Sequence, residues 1–394
     1  MKKINYLIPL LIALCMFLLQ VVPIFAGASS ELPPKPDVIT MACYETTGGT
    51  YAQYSILGEL INKEYGIKLR LIPCPTDIAR VLMINTGRAD ILGFATGTFF
   101  AMEGLGPFAE INLGPQDYRI VYIGQCSYGI SLAVRANSGI KTIEDLKGKR
   151  VAYFVGNPGM NSIVEGNLAF GGLTWDDVEK VEYRSNAAGY DSVIEGTADA
   201  TAFGGASSSA YKLEASPHGL YWLPKPAEDV GGWERLNKIC PFSYPALFTF
   251  GAGCSEENPI WLGAYNNYIF TKPDLEENTA YWITKAIWET YDLATQISDS
   301  MVEYNLPESG LKTKWPYPWH EGSIKYLKEV GLWGPAQEAN QQPLIDRQEA
   351  LAELWNKTID EATDAKMATT EFPAFWLEKR NAEFPEYYKP ALLD

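Results

Sequence analysis

Two stretches of the chain share one grammar, and their recurrence narrows the possible folds more than any other feature. Met41 to Tyr65 reads as the end of a strand, a turn at Gly48-Gly49 and a helix with Ile56, Leu57, Leu60 and Ile61 along one face. Val151 to Gly172 repeats the pattern: a strand, an Asn157-Pro158-Gly159 turn, and a helix carrying Ile163, Val164 and Leu168. Each copy is followed by a second shared phrase, INTGRADILGF from Ile84 to Phe94 and IEGTADATAF from Ile194 to Phe203. Gly49 to Asp90 spans 41 positions and Gly159 to Asp199 spans 40, so two units of similar size and order follow each other. Two similar lobes are implied, with their glycine turns available to face one cleft.

Within the first unit the reading is strand 38–44, helix 50–65, strand 67–73, helix 77–86 and strand 89–95. Such alternation demands parallel strands and right-handed crossovers. Thr46, Thr47 or Thr50 can serve as the N-cap of the first helix, and paired glycines let backbone approach a ligand without a Cβ in the way. The N–H groups of that helical turn then face the carboxyl end of the sheet, where open α/β folds bind ligands. The loops at 45–51, 74–77 and 96–98 leave the same sheet edge, and the second lobe answers with loops at 156–161, 185–190 and 204–209.

Two strand-rich runs, Tyr118 to Val134 and Trp261 to Thr271, read as crossings between the lobes, and Thr142 to Gly148 as a short helix capped by Thr142. The expected fold class is therefore α/β, with two doubly wound lobes joined by a two-strand hinge. Lobe 1 is expected over 37–130 and 262–394, lobe 2 over 131–261. The remaining helices, at 275–300 (burying Trp282, Ile283, Ile287, Leu293 and Ile297), 321–330 and 343–364, need the first lobe to cover their apolar stripes. Aromatics of the tail, Phe375, Trp376, Phe384, Tyr387 and Tyr388, are read as packing on the lobes.

The first 28 residues have the form of a cleaved export signal: Lys2 and Lys3, an apolar run from Leu7 to Val22, and Ala26-Gly27-Ala28. An extracytoplasmic or periplasmic location is expected. Its removal takes the formal charge from -16 to -18, an acidity that argues against nucleic acid and anionic lipid as partners. Five of the six cysteines remain: Cys43, Cys74, Cys126, Cys240 and Cys254. Cys240 with Cys254 is the favoured disulfide, and Cys43 with Cys74 a second candidate. Only two histidines exist, neither with a neighbour at ligand spacing, so no metal site and no cofactor is expected.

His218 in Ser-Pro-His-Gly and His320 in Trp-His-Glu-Gly read as turn or capping residues rather than general bases. A carboxylate pair such as Glu45 with Asp77 is the remaining route to catalysis, and the bland reading of a cap plus a loop carboxylate is the better one.

Several phrases together resemble the solute receptors of TRAP transporters, of the TAXI type: Thr47-Gly-Gly-Thr-Tyr51, Gly87-Arg-Ala-Asp90, Thr142-Ile-Glu-Asp-Leu-Lys-Gly-Lys-Arg-Val151, Gly156-Asn-Pro-Gly159 and Trp319-His-Glu-Gly322. The resemblance implies an exported two-lobed receptor, not an enzyme, that closes on a small organic acid or amino acid and hands it to an ion-driven membrane permease. A monomer is expected. The alternatives are an enzyme on the same fold and a receptor that reports to a membrane sensor. The sequence departs from the family pattern at Pro75-Thr76-Asp77 and Thr96-Gly97-Thr98.

The candidate ligand-binding residues are Glu45, Thr47, Gly48, Gly49, Thr50, Tyr51, Thr76, Asp77, Thr96 and Thr98 from the first lobe. From the second come Asn157, Gly159, Asn161, Asn186, Tyr190, Gly204 and Ser207. Arg184 is the only cation near these loops in the sequence. A ligand carboxylate is then expected to lean on helix N-termini and an ammonium to meet Glu45 or Asp77, so a zwitterion fits better than a dianion.

Overall fold

A computed structural model describes residues 32–125, 129–309, 311, 313–385 and 391–392. The export segment 1–28, Cys126, Tyr387 and Tyr388 lie outside the described residues. No helix among the described residues is long and apolar enough to cross a membrane.

The first sheet begins as read. β1 (Val38–Cys43), β2 (Lys68–Pro73) and β3 (Ile91–Phe94) are parallel, linked by α1 (Gly49–Tyr65) and α2 (Asp77–Asn85). Helix α1 buries Tyr54, Leu57, Leu60 and Ile61, and Gly66, at φ +68°, ends it by donating its N–H to Asn62 O at 2.9 Å. The Tyr54 ring lies on Gly93 of β3, where a Cβ would come within 2.5 Å of it, so this strand position tolerates only glycine.

The second sheet repeats the arrangement with β6 (Arg150–Phe154), β7 (Glu179–Tyr183) and β8 (Ala200–Gly204), linked by α4 (Pro158–Phe170) and α5 (Asn186–Glu195). The repeated Gly-x-Ala-Asp phrases do one job in both halves. Asp90 Oδ2 accepts the N–H of Thr40 at 2.7 Å, and Asp199 Oδ2 accepts that of Arg150 at 3.0 Å. Gly87 (φ +67°) and Gly196 (φ +85°) supply the left-handed residue that ends the preceding helix. Each aspartate thus pins the first strand of its repeat, β1 or β6.

The sheets are mixed rather than purely parallel. β4 (Arg119–Gln125) and β12 (Asn266–Thr271) join the first, in the order β2-β1-β3-β12-β4. β5 (Ile130–Arg135), β10 (Tyr244–Phe248) and β11 (Ile260–Ala264) join the second, in the order β10-β11-β5-β8-β6-β7, and β9 (Leu220–Trp222) also pairs with β5. In each sheet the third parallel strand pairs antiparallel with a strand reached by crossing, β3 with β12 and β8 with β5. The chain passes between sheets from β4 to β5 and returns from β11 through Tyr265 to β12.

Several local expectations are corrected. Residues 142–148 form only a 3-10 turn at Glu144–Leu146, because Asp145 takes the N–H groups of Lys141 and Thr142. Thr96-Gly97-Thr98 opens a helix, α3 (Gly97–Glu103), where a loop was expected. The segment 275–300 splits into α7 (Glu277–Glu289) and α8 (Tyr291–Ile297), leaving Leu293 and Ile297 exposed at 38% and 56%. The helix expected from Pro343 begins at Pro335 and runs through Pro343 to Asp364.

No disulfide joins Cys43, Cys74, Cys240 and Cys254. The Cys240 thiol donates to Ser162 O at 2.9 Å, and burial pushes it up to about 12. Cys43 and Cys74 are neighbours across β1 and β2, yet both are free thiols, and burial with the nearby Cys74 pushes Cys43 up to about 12.

The C-terminal helices cover the first lobe as their stripes require. Trp355 and Trp376 meet edge to face at 4.8 Å, and Trp376 Nε1 donates to Gly104 O at 2.7 Å. Buried Glu103 on α3 holds Arg347 at 2.8 Å and Arg380 at 2.6 Å, a charged anchor that fixes these helices to the lobe.

Candidate functional site

The carboxyl ends of β1, β3 and β8 converge on a cavity of about 50 Å³ lined from both lobes. At that size it has room for about three to five water-sized groups. Ten of the expected site residues line it: Glu45, Thr47, Gly48, Gly49, Thr50 and Thr96 from lobe 1, and Asn186, Tyr190, Gly204 and Ser207 from lobe 2. Tyr44, Ala95, Ile130, Met160 and Tyr265, none of them expected, complete the wall. Their signal was adjacency: Tyr44 and Ala95 each sit one residue from an expected loop position, and Tyr265 sits in the return crossing.

The N-terminus of α1 opens on this cavity. Its N-cap is Gly48 (φ −84°, ψ 145°), not one of the threonines, and neither a side-chain cap nor an acidic first-turn residue occupies it. The uncapped helix end presents partial positive charge to the cavity. Thr47 Oγ1, buried beside it, has no hydrogen-bond partner.

The two expected carboxylates have other work. Glu45 Oε2 accepts the N–H of Ala187 at 3.1 Å, in the first turn of α5. Asp77 Oδ2 accepts the N–H of Gly159 at 3.0 Å, in the first turn of α4. Asn157, the N-cap of α4, lies 2.8 Å from Asn186 and 2.7 Å from Asp77 Oδ2, its nitrogen facing the carboxylate because two acceptors cannot share a contact. A third link joins Ser208 Oγ, at the start of α6 (Ser208–Glu214), to Thr47 O at 2.9 Å. First-lobe acceptors therefore close on the N-termini of three second-lobe helices.

The cation is Arg80, a correction to the reading of exposed Arg184. Arg80 is fully buried, ion-paired with Asp77, and its guanidinium lies 3.7 Å from the centroid of the Tyr44 ring that lines the cavity. Nε and Nη1 have no hydrogen-bond partner. Burial pushes the Glu45 carboxyl up, against the N–H groups of Ala187 and Asn186 and the charge of Arg80. Burial likewise pushes Asp77 up, opposed first by Arg80 and then by Gly159 N–H.

The other expected residues stand back from the cavity. Thr76 is the N-cap of α2, accepting Ala79 N–H at 3.1 Å. Asn161 is spent on both backbone groups of Phe154, at 2.8 Å each. Tyr51 packs on the first-lobe core, and Thr98 borders an adjoining cavity. A Cβ on Gly159 would lie 2.5 Å from Gly97 N, so that glycine serves lobe-to-lobe approach. His320 caps a helix by accepting Gly322 N–H at 3.1 Å, and His218 pairs with Asn137 at 3.1 Å; neither lines the cavity.

A family model described as the NMT1-like family matches residues 45–331. Among solved structures, the chain is similar to the alkanesulfonate-binding protein SsuA of Xanthomonas axonopodis pv. citri bound to MOPS, at 16% identity and a TM-score of 0.44 over 82% of this chain and 94% of that one. It is also similar to the periplasmic aliphatic sulphonate-binding protein SsuA of Escherichia coli, at 16% identity and 0.42 over 91% and 94%. The amino acid ABC transporter substrate-binding protein AbpA of Streptococcus pneumoniae, bound to L-arginine, matches at 16% identity and 0.40 over 68% and 96%.

Proposed function

The chain belongs to the NMT1-like family, and we propose that it is an extracytoplasmic solute receptor, not an enzyme, that captures a small organic acid or amino acid between its lobes. The observation that carries this reading is the uncapped N-terminus of α1 at a small cavity walled by both lobes. An acid group placed there meets backbone N–H donors and the helix dipole. Glu45 and Asp77 then act as latches: each takes helix N–H donors of the other lobe, so closing the lobes and enclosing the solute are one event. The partner is a membrane permease, and the motif resemblance favours one of the ion-driven TRAP type.

The test is a panel of amino acids, 2-oxo acids and dicarboxylates screened by melting temperature, titrated by calorimetry and recovered for mass spectrometry. A ligand at a hundredfold excess over its Kd adds about 2.7 kcal/mol of stability and comes back chemically unchanged. A ligand recovered altered, with the change lost in Glu45→Gln, contradicts the receptor reading.

A further inference from the structure

The polar cavity continues past Tyr265. A second cavity of about 20 Å³ shares Ala95, Thr96 and Tyr265 with it as a common wall. Its far side is aromatic. Phe99 of α3 and Phe242 of the second lobe face each other with ring centroids 6.0 Å apart, and Tyr268 of β12 meets Tyr317 edge to face at 5.5 Å. None of the residues lining this second space carries a charge.

We propose that this space is a side-group subsite, and that the solute is an acid or amino acid bearing a short branched apolar group rather than a second charge. The inference rests on the interlobe cavity being the solute site. The acid head occupies the polar cavity at the α1 N-terminus, and the side group enters past Tyr265. A space of about 20 Å³ fits one or two methyl-sized groups. A second carboxylate there would lose its water and find no cation in exchange, and the N–H of Thr98 at the start of α3 is already taken by Ala95 O at 3.1 Å. Phe99 and Phe242 come from different lobes, so the side group is enclosed only when the lobes meet.

Calorimetry on the mature protein tests this with three pairs: valine and 3-methyl-2-oxobutanoate, alanine and pyruvate, glutamate and 2-oxoglutarate. The branched pair binds at least tenfold tighter than either other pair. Phe242→Trp, which narrows the subsite, lowers the branched-to-short affinity ratio at least fivefold. Phe242→Ala, which widens it, shifts preference toward phenylpyruvate; melting curves establish that each variant folds. Equal or tighter binding of the short or the doubly charged acids overturns the subsite and leaves the receptor reading standing. Unchanged ratios in both folded variants overturn it as well. Absence of binding by all six compounds overturns the subsite and counts against the organic-acid receptor together.

Discussion

The two lobes repeat one strand, turn and helix pattern but differ in how the helix N-termini at the cavity are finished. In the second lobe, Ser185 caps α5 and Ser207 caps α6 with their own hydroxyls, Asn157 stands at the N-cap of α4, and first-lobe acceptors close over all three helix ends. In the first lobe, α1 has a glycine at its N-cap, no side-chain cap and no acidic residue in its first turn, and it opens on the cavity. The buried cations differ likewise. Arg80 of the first lobe is paired with Asp77, whereas Lys225 of the second is buried with no hydrogen-bond partner at Nζ. The comparison teaches that the second lobe's helix ends are finished by the first lobe, whereas the end of α1 is left, on the receptor reading, for a ligand to complete.

The largest effect expected is at the paired cation. Asp77→Ala leaves a charged guanidinium buried alone, at a cost of about 3 to 5 kcal/mol, measured by urea unfolding. Asp77→Ala with Arg80→Met recovers most of that loss. If the double variant is as unstable as the single one, the pair is not what Asp77 contributes.

The unpaired cation predicts the reverse. Burial lowers Lys225 to about 7, below the roughly 10.4 of an unfolded lysine. The unfolded chain binds more protons between those values, so native stability rises with pH across that window. Lys225→Met removes the penalty and stabilises by on the order of 2 to 4 kcal/mol below pH 7, a gain that fades toward pH 10. Unfolding curves at pH 6 and pH 9.5 check both sign and slope.

Smaller still is the latch at Glu45. Glu45→Gln weakens its hold on the first turn of α5, for which a charged acceptor contributes about 1 kcal/mol. X-ray scattering without ligand then gives a larger radius of gyration, and solute affinity falls severalfold. An unchanged radius means that Glu45 does not hold the lobes.

Much of this was legible in the sequence because it is local. The strand, turn and helix pairs, the Gly-x-Ala-Asp phrases and ten cavity residues all follow from periodicity and turn chemistry. Long-range geometry was not legible. Arg80 reads as a mid-helix position of α2, and nothing local shows that it runs beneath Tyr44. The links from Glu45 to Ala187 and from Asp77 to Gly159 join residues 142 and 82 positions apart, so their carboxylates looked available to a ligand. Leu293 and Ile297 continued an apolar stripe that the break after Glu289 turns outward. Cys240 and Cys254 were close in sequence, but Cys240 packs on Ser162 instead.

The uncapped end of α1 is the central claim, and Gly48→Asp tests it most directly. The φ and ψ of Gly48 suit any residue, and a Cβ there meets only Glu45 O at 3.4 Å and Tyr44 Cβ at 3.8 Å. An aspartate in this place caps α1 itself, so stability holds or rises by a few tenths of a kcal/mol. The same carboxylate occupies the anion position, so calorimetry with the tightest-binding acid of the panel shows affinity reduced at least tenfold. A Gly48→Asp protein that folds normally and binds that acid as well as the unaltered chain contradicts the account.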